Sequence, residues 1–127
     1  MKESPSMDRW LREAKTHESA PQIGMYLTHN GVVRATAKAK ARHGEDAADV
    51  KGMLFSYDAE KVAAVTEAAR ALPGIHYVRL WLNEGELRVG DDIMYVLIGG
   101  DIRPRVVEAL DYLVGRIKNE CVVEQEV

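Results

Sequence analysis

The sequence predicts a two-layer α+β fold, and three observations support this class. Apolar residues recur with strand-like and helix-like periods along the chain. These segments do not follow the strict strand–helix alternation that a parallel sheet requires. The 127 residues, 46% hydrophobic and 29% charged, suit one globular core, and neither an internal repeat nor a linker divides them. We therefore expect a single domain over residues 1–127.

The first third of the chain predicts one helix, one strand and a loop. Ser6 is a suitable N-cap for a short helix over residues 7–15. Residues 23–28 read as a strand that continues towards Arg34. Residues 35–49 are small and charged without apolar periodicity, which is typical of a mobile surface loop.

Regular patterns return in the middle of the chain. Residues 51–57 predict a strand, and Asp58 is a good N-cap for a helix over residues 59–72. Pro73 and Gly74 end that helix, because proline cannot continue it and glycine accepts the left-handed conformation. A strand over residues 75–82 follows.

The last third predicts a buried strand and a long helix. Residues 83–90 hold two glycines and a short extended piece. The nearly unbroken apolar run of residues 92–98 is typical of a strand buried on both faces. Helical apolar spacing then extends from Val106 to Ile117. The weakly alternating tail, residues 121–127, predicts an edge strand.

The start of the last helix combines features of an anion site. Asp101 is placed to cap the helix, and Pro104 suits its first turn. Arg103 and Arg105 lie beside the unpaired amides of that turn, where anions bind readily. Lys118, at the far end of the pattern, is a cation able to face a reacting group. The alternative is a well-capped surface helix whose charges are solvated.

Composition excludes several classes of function. Seventeen Lys and Arg residues against 20 Asp and Glu residues give a net charge of −3, which argues against a nucleic-acid partner. No apolar run approaches the ~18 residues of a membrane span, and the first ten residues lack the apolar stretch of a signal peptide, so we expect neither feature. Because Cys121 is the only cysteine, we expect no intrachain disulfide and a location in the reducing cytoplasm.

The histidines and the cysteine leave alternatives open. No pair of histidines has the spacing of a helical metal site, so we expect no metal. His29 follows a strand beside Asn30 and Gly31, which suits either a site residue or a structural histidine. Cys121 is either a nucleophile or an inert buried thiol, and the neighbouring valines favour burial.

Three blocks in order resemble the large, catalytic subunit of molybdopterin synthase. The first is GMYLTHNGVVR at residues 24–34, and the second is EGELRVGD at residues 84–91. The third extends from Ile93 through the glycine pair Gly99–Gly100 to Lys118. Together the blocks cover most of the chain, and it is their order that makes the resemblance specific.

The resemblance implies a fold, a reaction and partners. It implies a hammerhead-like domain with an antiparallel or mixed sheet and packed helices, assembled as a homodimer. It implies transfer of sulfur from a thiocarboxylated, ubiquitin-like small subunit to cyclic pyranopterin monophosphate (precursor Z), giving molybdopterin without a cofactor of the enzyme's own. Residue by residue, Arg34 and Arg103 match substrate-binding arginines, and Lys118 matches the active-site lysine.

The chain departs from the family pattern at several of its functional positions. Ile102 stands where the family has histidine, and Leu82–Asn83 replace a His–Arg pair. Gln125 falls at the position of a second active-site lysine, and Glu124 beside it would repel anionic reactants. These departures support an alternative function, a non-catalytic pterin-phosphate-binding or regulatory protein of the same fold.

Overall fold

Two three-stranded antiparallel sheets and the helices packed against them make up the fold. The computed structural model describes residues 1–44 and 47–127. Every strand pair in both sheets is antiparallel, so the predicted α+β class is confirmed. No helix in these two ranges is both long and apolar enough to cross a membrane.

The first sheet has the strand order β1-β5-β3, with β5 at its centre. Its strands are β1 (Met25–Val32), β3 (Ile75–Leu82) and β5 (Asp92–Gly100). Val96, Leu97 and Ile98 are each 0% exposed. Since consecutive strand residues point to opposite faces, both faces of β5 are buried, as its unbroken apolar run predicted.

The second sheet has the order β4-β2-β6 and holds the tail of the chain. Its strands are β2 (Gly52–Tyr57), β4 (Gly85–Arg88) and β6 (Val122–Glu126). β6 pairs with β2 along one edge, which confirms the predicted edge strand. The main chain extends this pairing, because Val127 N donates to Gly52 O and Lys51 N donates to Val127 O.

Local capping explains where the two predicted early helices begin. In α1 (Met7–Lys15), the Ser6 hydroxyl accepts a hydrogen bond from Arg9 N. In α3 (Ala59–Arg70), the Asp58 carboxylate accepts from two amides of the first turn. Both N-caps are confirmed. The other helices are α2 (Lys38–His43), α4 (Arg103–Arg116), a 3₁₀ turn (Ala20–Gln22) and a π-helical turn (Ile117–Cys121).

One main core holds the two sheets and helices α3 and α4 together. The second sheet supplies Phe55 and Leu87, the first supplies Val96 and Ile98, and α4 supplies Leu113. The opposite face of β5 carries a smaller cluster in which Leu97 packs against Trp10 of α1. β5 therefore contributes to both hydrophobic clusters, one on each of its faces.

The structure corrects two local predictions. Residues 35–49 were expected to form a loop, but they contain α2 at Lys38–His43, while residues 45 and 46 lie outside the described residues. Asp101 was expected to be the N-cap of the last helix, but Ile102 holds that position without a side-chain cap. Asp101 instead accepts hydrogen bonds from Ile102 N and from the Arg105 guanidinium.

The glycine pair Gly99–Gly100 has a packing role at the end of β5. A Cβ on Gly100 would lie 2.6 Å from Val106 Cγ2 and 2.8 Å from Gly74 O. A Cβ on Gly99 would lie 2.8 Å from Ile23 Cδ1. Only glycine therefore allows α4 and the preceding loops to approach β5 this closely.

Candidate active site

A cleft of about 140 Å³ gathers four cationic side chains where β1, α2, β6 and the π-helical turn meet. Its floor is apolar and buried, formed by Val33, Met53 and Ile93. Its charged residues are Arg34, Lys38, Arg42, Lys118, Glu124 and Glu126. Four cations against two carboxylates leave the cleft with a positive charge in a chain that is acidic as a whole. This arrangement suits an anionic ligand.

Lys118 reaches the cleft because the chain widens into a π-helical turn after α4. Ile117 and Cys121, at the ends of that turn, are 0% and 3% exposed and anchor it in the core. Lys118 lies between these anchors, and its side chain is 36% exposed at the cleft. π-Helical turns recur at functional sites, where they re-aim a side chain that a regular helix would point elsewhere. Lys118 is thus held by its neighbours while part of its side chain remains exposed at the cleft.

Arg34 is fixed next to the cleft by the residue that precedes it. Val33 is 2% exposed, its N–H donates to Asp91 O, and its carbonyl accepts from Gly90 N. The Arg34 side chain is exposed, and its Nε donates to Thr36 O at 3.0 Å. The structure therefore brings Arg34 and Lys118, two of the three predicted site residues, into one cleft.

Helix α2 brings two further cations that the sequence interpretation missed. Lys38 and Arg42 are four residues apart, so they share one face of the helix. Both oxygens of the Glu126 carboxylate accept from Lys38 N, at 3.0 and 3.2 Å. A residue from the far end of the chain thereby satisfies the first turn of α2. In the sequence, Lys and Arg alternate over residues 38–42, but this pattern is also typical of a solvated loop and so does not predict a site.

Glu124 lies inside the cleft and pairs with Lys118. Its Oε1 is 3.8 Å from Lys118 Nζ, and its side chain is 15% exposed. That oxygen is buried and has no hydrogen-bond partner in the part of the chain that the structure describes. The sequence predicts that Glu124 repels anionic reactants, and the structure places its carboxylate beside the Lys118 ammonium.

Gln125 does not occupy the position that the resemblance implied. Along β6, Glu124 and Glu126 line the cleft, and Gln125 is not among its lining residues. Side chains alternate in a strand, so Gln125 points to the opposite face, where its partner in the register, Leu54, is 42% exposed. The residue that meets the lysine is therefore Glu124, and the prediction for Gln125 is corrected.

His29 lies within electrostatic reach of this site. It is half-buried on β1, and burial lowers the pKa of its imidazole below the ordinary value. The positive charge of Lys118 lowers that pKa further. Burial and the Lys118 charge therefore both favour the neutral form of the imidazole.

Arg103 and Cys121 lie apart from the cleft. Arg103 begins α4, is exposed, and is not among the residues that line the cleft. Cys121 is 3% exposed, and burial raises the pKa of its thiol, which fits the inert interpretation. Within residues 1–44 and 47–127, no group of three or more His, Cys, Asp or Glu residues is arranged to hold a metal ion.

Comparison with known proteins identifies the family. A sequence model described as "MoaE protein" matches residues 3–120. The molybdopterin synthase structure from Staphylococcus aureus superposes with a TM-score of 0.74 at 17% identity, over 98% of this chain and 86% of that one. A MoaE protein from Burkholderia ambifaria gives 0.72 at 17% identity, over 99% and 81%.

A complex of subunits 1 and 2 of the molybdopterin-converting factor from Helicobacter pylori gives a TM-score of 0.66. Identity is 12% there, over 97% of this chain and 79% of that one. No curated protein sequence matches the chain. The family match covers nearly the whole chain, so the chain belongs to the MoaE family, and the resemblance to the molybdopterin synthase large subunit is confirmed.

Proposed function

We propose that this member of the MoaE family is a catalytic large subunit that converts precursor Z to molybdopterin with sulfur from a thiocarboxylated small subunit. Membership of the family makes it a protein of molybdenum cofactor biosynthesis. The observation that carries the proposal is the meeting of Arg34 and Lys118, distant in sequence, in one positively charged cleft.

The chemistry explains why cations are needed. Both reactants are anions, a cyclic phosphate and a thiocarboxylate, so bringing them together requires positive charge between them. The planar guanidinium of Arg34 can hold two phosphate oxygens at once. Lys38 and Arg42 add positive charge on the same side of the cleft.

Lys118 is proposed as the catalytic cation. Its ammonium lies above an apolar floor that includes Met53 and Ile93, where a charge interacts more strongly than it does in water. There it neutralises charge that develops as sulfur leaves the thiocarboxylate of the partner.

The partner is proposed to be a ubiquitin-like small subunit, as the H. pylori complex of two subunits supports. The terminus of such a partner is a flexible, anionic chain end, which fits a cleft that is narrow and positively charged. The cleft of about 140 Å³ is smaller than the ~300–1,000 Å³ of typical ligand pockets, which supports the proposal that a second protomer completes the site.

A homodimer is proposed to supply the rest. Arg103 lies at the opposite end of the helical segment from Lys118 and does not line the cleft, so we propose that it serves the cleft of a second copy of the chain. Ile102 and Val107, beside Arg103, are 52% and 44% exposed, so this end of α4 presents apolar surface that a second copy of the chain would bury. We propose that this end of α4 faces the second copy and presents Arg103 to its cleft.

Reconstitution tests the proposal directly. Purified chain, thiocarboxylated small subunit and precursor Z are combined, and molybdopterin is measured after oxidation to its fluorescent derivative. Product formation that requires all three components is expected. Binding of precursor Z without any product would instead support the non-catalytic alternative.

A further inference from the structure

The ion pair between Lys118 and Glu124 is not needed for the proposed reaction. An enzyme that gathers two anions is expected to leave its cations available, yet here a carboxylate oxygen lies 3.8 Å from the central ammonium. The Glu124 side chain is the more buried of the two, at 15% exposure against 36% for Lys118. The pair is therefore partly shielded from water, and its attraction is stronger than that of a surface ion pair.

The fold forces Glu124 into this position. β6 pairs with β2 so that Glu124 lies opposite Phe55, and Phe55 is 3% exposed in the core. A one-residue slip of β6 would turn the whole strand over, which its pairing from Val122 to Glu126 prevents. Glu124 thus remains in the cleft, although its Oε1 lacks a hydrogen bond from any described residue.

Glu124 differs in this respect from the other carboxylate of the cleft. Glu126 accepts two hydrogen bonds from Lys38 N and so stabilises the start of α2. Among the residues that the structure describes, Glu124 accepts no such hydrogen bond, and Lys118 is the only cation within 4 Å of its carboxylate. A buried carboxylate held only by charge affects the cleft mainly through electrostatics.

We infer that Glu124 determines the affinity of this cleft for anions, because it holds the Lys118 ammonium as an internal counter-ion that an incoming anion must displace. The inference rests on the proposed function in taking the ligand to be an anion. Glu124 is in this sense a positioning residue that acts through Lys118 and weakens binding of every anionic group in the cleft.

The test is an NMR titration of the 127-residue chain with inorganic phosphate at low ionic strength, which follows the backbone amide signals of Val33 and Lys118. Relative to wild type, Glu124→Gln is expected to lower the phosphate Kd about threefold to tenfold, because one repulsive charge is removed. Glu124→Lys is expected to lower it further. Glu124→Asp retains the charge and is expected to remain within about twofold of wild type.

The matched control is Glu86→Gln, which makes the same charge change at an exposed position of β4 outside the cleft. It is expected to leave the phosphate Kd within about twofold of wild type. Circular dichroism identifies the variants that keep the wild-type fold, and only these are compared. The difference between Glu124→Gln and Glu86→Gln is also expected to shrink as salt is added.

The inference is overturned if folded Glu124→Gln and Glu124→Lys bind phosphate no more tightly than Glu86→Gln. It is also overturned if Glu124→Asp binds as tightly as Glu124→Gln, because packing rather than charge would then be responsible. Turnover is measured separately. A silent reconstitution assay with the expected order of phosphate affinities contradicts the proposed function alone, and normal turnover with no such order contradicts this inference alone.

Discussion

Arg103 and Lys118 lie near the two ends of one continuous helical segment, separated by about 22 Å of helix. Lys118 lines the cleft and Arg103 does not, so a single protomer does not bring the two side chains to one cleft. The proposed roles of Arg103 and Lys118 are therefore compatible only if the active site is shared between two protomers.

A shared site predicts that two inactive variants complement one another. Arg103→Ala and Lys118→Ala are each expected to be inactive, since each removes one half of both sites. A mixed dimer has one intact site, so an equal mixture after subunit exchange should regain about a quarter of wild-type activity. The rate of molybdopterin formation by each variant and by the mixture measures this. If the mixture is no more active than the two variants alone, one protomer supplies the whole site.

Lys118→Ala is also expected to affect both catalysis and stability. Loss of one positioned cation typically lowers kcat by about 10²–10³. Removal of Lys118 also leaves the buried Oε1 of Glu124 without its close cation, so the free energy of unfolding should fall by about 1–3 kcal/mol in a chain that remains folded. Single-turnover kinetics and urea denaturation give the two quantities. Lys15→Ala, at the exposed end of α1, is the control. Retained turnover in folded Lys118→Ala would remove Lys118 from the catalytic role.

The elements that could be predicted are those whose signals are local. The apolar run of β5 shows burial on both faces, and Asp58 marks the start of α3 within a residue. The proline and glycine at residues 73–74 predict that α3 ends by residue 72, and it ends two residues earlier, at Arg70. Each of these signals acts over a few neighbouring residues, so no knowledge of the rest of the chain is needed.

The parts of the site that could not be predicted depend on distant partners. Helix α2 has no apolar period, and the group that satisfies its first amide is the carboxylate of Glu126, 88 residues away. The choice between Glu124 and Gln125 depends on the π-helical turn, which takes one residue more per hydrogen-bonded ring than a regular helix. No residue type specifies such a turn. Which side chains of β6 point towards the cleft is therefore known only from the pairing of β6 with β2.

His29 predicts a particular pH dependence of stability. Burial, and then the charge of Lys118, lower the pKa of His29 below the ordinary ~6.5, so the folded state takes up its proton later than the unfolded state. The unfolded state binds more protons in that window, and stability therefore decreases as the pH falls from about 7 through 6.5. His29→Gln should flatten this decrease in urea denaturation, whereas His76→Gln, at an exposed position of β3, serves as the control.

The same histidine reports on Lys118. Because the lysine charge contributes to the lowered pKa, Lys118→Ala is expected to raise the pKa of His29 in an NMR titration of its ring protons. Burial is the larger cause, so the value should remain below that of a free histidine. If the pKa of His29 is unchanged in the folded variant, the Lys118 charge does not act on the imidazole and this prediction is wrong.

Two glycines near the ends of α4 predict opposite effects of the same substitution. A Cβ on Gly100 would lie 2.6 Å from Val106 Cγ2 and 2.8 Å from the carbonyl oxygen of Gly74, and the backbone cannot yield cheaply there. Gly100→Ala should therefore lower the free energy of unfolding by about 1–3 kcal/mol, as other overpacked cores do. Gly115 lies inside α4, and no heavy atom lies within 4 Å of a Cβ built on it.

Gly115→Ala should raise the free energy of unfolding by about 0.5–1 kcal/mol, since alanine loses less conformational entropy in a helix. Urea denaturation of wild type and both variants, with circular dichroism at low denaturant, measures the pair. Because the chemical change is identical, a difference in sign can arise only from the surroundings of the two positions. If Gly100→Ala is as stable as wild type, α4 does not pack against the end of β5 as closely as the structure describes.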